Sequence, residues 1–321
     1  MNRERNPRKE DEGDDVAAVL PQKLSLLLEL SGACAFGTAP AAEVPEEEWR
    51  LFEAWLEAGM HAGMTYMERH KELRRDPRLL LEGAKTVIST AFNYRQPNPY
   101  PAIATYALGE DYHIVIRKRL KSVVRCLKEE FGGEYRICVD SAPITERYWA
   151  QKCGVGSRSP VSGTIMVPTV GSMVFLAEIL TTLDIPHFNS TPYNKYESES
   201  AVSEKNGSAG VSPKCPAGAL LHGGTVDARR CVNYLTIEHQ GEFTPEQLKL
   251  LDTPGVKGKV FGCDVCQLAC PSNSSAPIPV ISEFQPLTEL PDYIEVLKSG
   301  SPAPPGMKKS PLYRKIRSGA K

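Results

Sequence analysis

Three cysteines fall within the stretch VFGCDVCQLACPSN, residues 260–273, and the last of them, Cys270, is followed by proline. No other feature constrains the chain as strongly. A segment this dense in thiols folds around disulfides or around metal, and the rest of the sequence decides which. The chain has nine cysteines, an odd number, and begins MNRERNPRKEDEGDD before an apolar LSLLLEL that contains Glu29. That start lacks a secretory pattern, so a disulfide framework is not expected and the expected compartment is the cytoplasm. No apolar run approaches the roughly eighteen residues of a membrane span. Cys34, Cys126, Cys138 and Cys153 are scattered through the first half and read as reduced core or near-surface thiols. The other five crowd into residues 215–270, where metal is expected.

With 41% apolar, 24% charged and 7% aromatic residues, the 321-residue chain reads as soluble and globular, one large domain or two ordinary ones. A net charge of −1 excludes a global basic field, so any nucleic-acid contact needs a local patch. Trp49, Phe52 and Trp55 recur at helical spacing in residues 46–59, with Gly59 as the expected C-cap. AKTVISTAFN (84–93) reads as a strand, and PNPYP (97–101) as a loop. Residues 111–131 form a long amphipathic helix carrying Arg117, Lys118, Arg119, Lys121, Arg125 and Lys128, either a solvated face or a phosphate-facing patch. YRICVDSAP (135–143) is a buried strand ending at Asp140, and TERYWAQKCG (145–154) a helix. GSMVFLAEILTTLDI (171–185) mixes strand and helix signals.

Strands separated by helices predict an α/β or α+β first domain. Residues 189–213 are polar, small and charged, as in a linker, and the metal-type cysteines begin directly after them. The expected class is α+β: a disordered tail over 1–20, an α/β domain over 21–188, a ferredoxin-like domain over 189–275 and a short helical tail over 276–321.

Thiolates are soft, negatively charged donors that suit both zinc and iron–sulfur clusters. Zinc usually takes two short Cys pairs, and only Cys263 and Cys266 form a clean one. Ferredoxin-type runs end in Cys-Pro, and two such junctions occur here, Cys215-Pro216 and Cys270-Pro271. The spacing favours iron–sulfur over zinc.

Several stretches together resemble the epoxyqueuosine reductase family: MTYMERHKELRRDPRLLLEGAKTVISTAFNY, YALGEDYHIVIRKRLK, VDSAPITERYWAQKCGVG, GSMVFLAEIL, CPAGAL, VDARRCVNYLTIEHQG and VFGCDVCQLACP. They run in family order across roughly residues 50–275. The resemblance implies an oxidoreductase that uses cobalamin and iron–sulfur to convert epoxyqueuosine to queuosine at the wobble position of tRNA. It implies a cobalamin-binding first domain, with Asp140 as proton donor to the opening epoxide, a role that burial would support by raising its pKa. The other reading of Asp140 is a helix N-cap before TERYWAQ, four residues removed. Arg69, Ile165 and Leu176 would border the corrin, with Asn233 and Asp264 touching it from beside the cluster. One [4Fe–4S] cluster would sit on Cys215, Cys231, Cys263 and Cys266.

Two departures stand out. The glycine–lysine–asparagine turn expected after GVG is replaced by GVGSRSPVSGTIMVP, where Arg158 is the nearest cation. The partner cluster would need cysteine at Lys205, Ser208 and Val211, so that cluster is expected to be lost, with Cys270 its one remaining ligand. The sequence also ends at RSGAK, short of the helical repeats of many members. Two alternatives follow: a dehalogenase-like cobalamin reductase, disfavoured by the lack of a twin-arginine export signal, and a cofactor-binding protein with a degraded electron relay. A monomer is expected, binding tRNA through the 117–128 helix face and the tail from Lys308 to Arg317.

Overall fold

The computed structural model describes residues 8–159, 162–190 and 215–317. The expected linker, including Lys205, Ser208 and Val211, lies almost wholly outside them. Four strands form the central sheet: β1 (Ala35–Pro40), β2 (Thr86–Asn93), β3 (Tyr135–Cys138) and β6 (Val174–Thr181), in the order β1-β2-β6-β3. Every pairing in it is antiparallel, with Val87 opposite Leu180 and Cys138 opposite Glu178. The α+β class therefore holds, but the first domain lacks the parallel sheet that an α/β label carries. The mixed stretch 171–185 resolves as β6. A two-stranded ribbon, β4 (Ser157–Arg158) with β5 (Ile165–Met166), completes the first domain.

β2 is buried along its whole length because both faces of the sheet are covered. Alternation sorts its side chains between two cores. Ile88 and Phe92 meet Leu24 and Leu28 of the Arg8–Leu30 helix and Ile116, Leu120 and Leu127 of the Tyr112–Phe131 helix. Val87 and Ala91 face Trp149, Ala150 and Cys153 around the Glu146–Lys152 helix. The first of these helices runs through residue 20, across the expected boundary of the tail. Asp111 caps the Tyr112–Phe131 helix by accepting the His113 N–H, which fixes its start one residue after the carboxylate.

β3 is a half-buried edge strand rather than a buried one, and it stops at Cys138. The chain continues through buried Val139 into a turn at Asp140. A third core, Ile103, Leu108, Phe261, Leu290, Ile294, Met307 and Leu312, joins the tail to the cysteine segment. It fixes Phe261 two positions before Cys263, beside Ile103 in a parallel bridge. Among the described residues no helix is long and apolar enough to cross a membrane.

Candidate active site

Asp140 stands at the end of β3 with φ 49°, one of three described non-glycine residues at positive φ. The Ser141 N–H returns to the Val139 carbonyl at 2.6 Å, closing a γ-turn around it. A residue so placed costs about 1–3 kcal/mol and persists only where its surroundings hold it. Glu146 supplies that hold, its Oε1 accepting the Asp140 N–H at 2.8 Å. The cap of the following helix is Thr145, not Asp140, so the capping reading is set aside.

The Asp140 side chain is 54% exposed, into a cleft of about 210 Å³ that it lines with Tyr112, Glu146, Arg147, Ile165 and Leu176. Behind it His113 Nε2 lies 2.8 Å from Asp140 Oδ2, and His113 Nδ1 lies 2.7 Å from Asp111 Oδ1. The Tyr112 ring packs 4.2 Å from that of Phe175, only 8° from parallel. Burial would depress the His113 imidazole, but hydrogen bonds and charge from Asp111 and Asp140 outweigh it and raise its pKa. Burial would raise Asp140, yet the hydrogen bond and charge of His113, helped by Tyr112 and Arg314, hold it below the usual carboxylate range. The expectation that burial alone tunes Asp140 upward is thus corrected: the strand end is apolar, but a histidine faces the carboxylate. The neighbour that rises is Glu146, pushed up to about 8 by its own burial and then by the Asp140 charge. Glu178, fully buried on β6 beside Ser89, is also pushed well up by burial.

The cysteine segment adjoins this cleft through Gln267. Gln267 lines the cleft, accepts from Ser172 Oγ at 2.7 Å, donates to the Tyr94 hydroxyl at 2.9 Å, and follows Cys266 in the chain. Burial pushes the Cys266 thiol up to about 12, with Cys263, Cys231 and Cys215 each adding to it, so all four thiols share one neighbourhood. Among the described residues no three His, Cys, Asp or Glu side chains converge on a single metal ion. A cubane instead takes its thiolates at separate corners, and this looser grouping fits it. Asn233 orders the loop by accepting the Cys263 N–H at 3.0 Å.

Of the expected corrin contacts, Ile165 and Leu176 share the cleft with Asp140. The Asp264 carboxylate is buried and turned to Thr105, whose N–H and hydroxyl it accepts at 2.6 and 2.7 Å. Arg69 is exposed, bonds to Thr65 Oγ1 and is not among the cleft-lining residues. Arg158 sits in β4 close enough to Arg147 to lower that guanidinium's pKa, after the lowering by burial itself. The cleft combines an apolar wall (Ile165, Val174, Leu176) with a polar rim (Ser172, Thr164, Gln267, Arg147), which suits a flat macrocycle with an amide periphery. Its volume is too small to enclose a whole corrin.

The expected tRNA patch is only partly free. Arg119 pairs with Glu283 at 2.8 Å and Lys128 with Glu134 at 2.8 Å. Arg314 and Lys315 point inward, to Asp111 and to the Thr236 carbonyl. Lys118, Lys121 and Arg125 remain exposed on the helix. Sequence reasoning missed Tyr112, His113, Glu146 and Arg314. The first two stood inside the quoted GEDYH stretch, and a histidine two positions after a helix-capping aspartate was the available signal.

A strained acid over a cleft, with four neighbouring thiols in the adjoining segment, suits an iron–sulfur oxidoreductase. A family model described as "4Fe-4S double cluster binding domain" matches residues 212–273, and one described as "Epoxyqueuosine reductase QueG, DUF1730" matches residues 74–141. The chain is 39% identical over 249 residues to the epoxyqueuosine reductase of Cyclobacterium marinum, covering 74% of each chain. It is 38% identical over 243 residues to that of Vibrio cholerae, covering 72% of this chain and 62% of the relative. The chain belongs to the epoxyqueuosine reductase family. A solved epoxyqueuosine reductase from Streptococcus thermophilus matches 86% of this chain and 72% of its own, with TM-score 0.67 and 25% identity. A crystal structure of epoxyqueuosine reductase with a tRNA-Tyr epoxyqueuosine-modified stem loop matches 85% of this chain and 70% of its own, with TM-score 0.70 and 24% identity. Membership sets aside the dehalogenase-like alternative.

Proposed function

We propose that this chain reduces the epoxide of epoxyqueuosine to the alkene of queuosine in the wobble nucleoside of tRNA. The overall step takes up two electrons and two protons and releases the epoxide oxygen as water. The observation that carries the reading is Asp140, held at positive φ by Glu146, open to the cleft and backed by His113. The buried His113, whose pKa is raised, would supply the proton that Asp140 passes to the opening oxygen. Ile165 and Leu176 would bear on a bound cobalamin, and Cys215, Cys231, Cys263 and Cys266 would hold one [4Fe–4S] cluster. Cobalamin when bound supplies low-valent cobalt as the reductant of the epoxide carbon, fed by the cluster. Gln267, through Ser172, keeps the cysteine segment against the cleft, and Asn233 orders the Cys263 loop.

The test is anaerobic incubation of the protein, loaded with cobalamin and cluster and supplied with a strong reductant, with an epoxyqueuosine-bearing tRNA stem loop. Digestion and mass spectrometry should show the nucleoside losing one oxygen atom. Cobalamin binding without any such loss would leave the cofactor-binding reading in place.

A further inference from the structure

The relay behind Asp140 is not closed by the first domain alone. Arg314 belongs to the Leu312–Arg317 helix, 203 positions beyond Asp111 in the chain. Its Nε donates to Asp111 Oδ2 at 2.9 Å, and its Nη1 lies 3.1 Å from His113 Nε2. That same Nε2 is 2.8 Å from Asp140 Oδ2. The tail is built into this position. Leu312 is fully buried, the Asp111 N–H donates to the Lys309 carbonyl at 2.6 Å, and Lys315 Nζ donates to the Thr236 and Val260 carbonyls at 2.7 and 3.2 Å.

Asp140 and Arg314 thus converge on one ring edge. Nδ1 faces the Asp111 carboxylate, which only accepts, so Nδ1 carries a proton. Nε2 then holds either a second proton or a bare lone pair. A guanidinium can only donate, so its contact is favourable toward the lone pair and repulsive toward a protonated Nε2. With Nε2 unprotonated, a proton shared with Asp140 sits on the carboxyl. Arg314 also offsets the Asp111 charge, weakening what stabilises an imidazolium. The Arg314 charge also favours the Asp140 carboxylate, but its close contact is with Nε2, so moving the shared proton from Nε2 to Asp140 carries it away from the cation, and the balance is toward Asp140.

We propose that Arg314 is a positioning residue for the reaction: by fixing Asp111 and disfavouring a proton on His113 Nε2, it drives the shared proton toward Asp140, whose carboxyl lines the cleft. The inference rests on the epoxide-reductase reading, because the opening oxygen is what takes that proton. The charged and titratable groups around the ring come from several elements. Asp111 and Tyr112 flank it on its own helix, and Asp140 faces it from the turn after β3. Glu146, Glu238 and Arg74 act on Asp140 from farther out, and Arg314 is the cation in contact with the imidazole.

The experiment is an NMR titration of the His113 imidazole in the full chain, assigned with His113→Gln, for the wild type and for Arg314→Gln, Arg314→Ala and Arg314→Lys. Loss of the charge in Gln or Ala should raise the His113 pKa by about one unit, whereas Lys should hold it within a few tenths. Single-turnover reduction of the modified stem loop by Arg314→Gln should slow about tenfold or more at neutral pH, with stem-loop affinity unchanged and the alkaline limb of the rate displaced upward. A His113 pKa within about 0.2 units of wild type in both Gln and Ala would overturn the inference, as would a Lys variant shifted as far as they are. The titration decides the point even for a chain that does not turn over, so failure of the assigned reaction and failure of this inference are told apart.

Discussion

The Asp140 N–H donates to Glu146 Oε1 at 2.8 Å, so the strained turn that presents the acid is braced by the first residue of the next helix. The brace carries a proton of its own. Two carboxyls this close cannot both ionise cheaply, and the more enclosed one gives way. Glu146 rises from 4.5 to about 8, driven first by burial and then by the Asp140 charge, while His113 holds the Asp140 carboxyl below the usual range.

That arrangement makes stability depend on pH. Glu146 has a folded pKa above its unfolded one, so the native state keeps a proton that the unfolded state releases. Its contribution is complete below about pH 4.5 and is lost as pH rises through about 8. The melting temperature should therefore fall by a few degrees between pH 5 and pH 8.5. Glu146→Gln keeps an oxygen acceptor for the Asp140 N–H and removes the titration, so its decline should be shallower. Glu178, also held neutral by burial, leaves a residual slope of the same sign. Parallel melting curves for the two proteins across that range would refute the assignment.

Asp140→Asn should lower single-turnover epoxide reduction by about 10²-fold or more, with cobalamin and iron content unchanged. Asparagine tolerates the left-handed backbone better than most residues, so the turn should survive and the loss be chemical. Near-normal conversion by the variant would remove Asp140 from the mechanism.

Most elements were legible in the sequence because they depend on local signals. The β-branched run of β2, the helical spacing around Trp49 and the Asp111 cap all sit within a few residues of what they determine. The antiparallel sheet was not, because β6 pairs with β2 and β3 across long separations and the 171–185 stretch fits a strand or a helix equally well. Asp140, Ile165 and Leu176, which family motifs rather than periodicity single out, meet in one cleft. The charge state of Asp140 was illegible, because it depends on His113 and Arg314, brought to it from a helix start and from the tail. The inward turn of Arg314 was equally hidden, since MKKSPLYRKIRSGAK reads as solvated charge until Leu312 is seen to be buried.

Stem-loop binding should weaken steeply with salt, since each phosphate neutralised releases counterion and contributes a slope of about 0.7 for single-stranded and 0.9 for duplex segments. Lys118, Lys121 and Arg125 are exposed, and replacing all three with Gln should flatten the slope by about two units. Arg119 is committed to Glu283, so Arg119→Gln should change the slope little. Affinity that is the same at low and high salt would rule out a basic docking surface altogether.

The final prediction concerns the cysteines. The matched family model describes a double-cluster domain, yet this chain has Lys205, Ser208 and Val211 where the resemblance asks for cysteine. Cys215, Cys231 and Cys263 lie close enough to Cys266 to raise its thiol together with burial. Four thiolates complete one cubane, and a single remaining thiol cannot begin another. Anaerobically reconstituted protein should therefore hold about four iron and four acid-labile sulfide per chain. Cys263→Ser or Cys266→Ser should remove most of that iron, while Cys270→Ser should leave it unchanged. Because Asn233 orders the Cys263 loop, Asn233→Ala should make the cluster easier to lose to a chelator without altering its initial content. A reproducible content near eight iron, or loss of iron in Cys270→Ser, would show that Cys270 belongs to a second cluster completed by ligands outside the described residues.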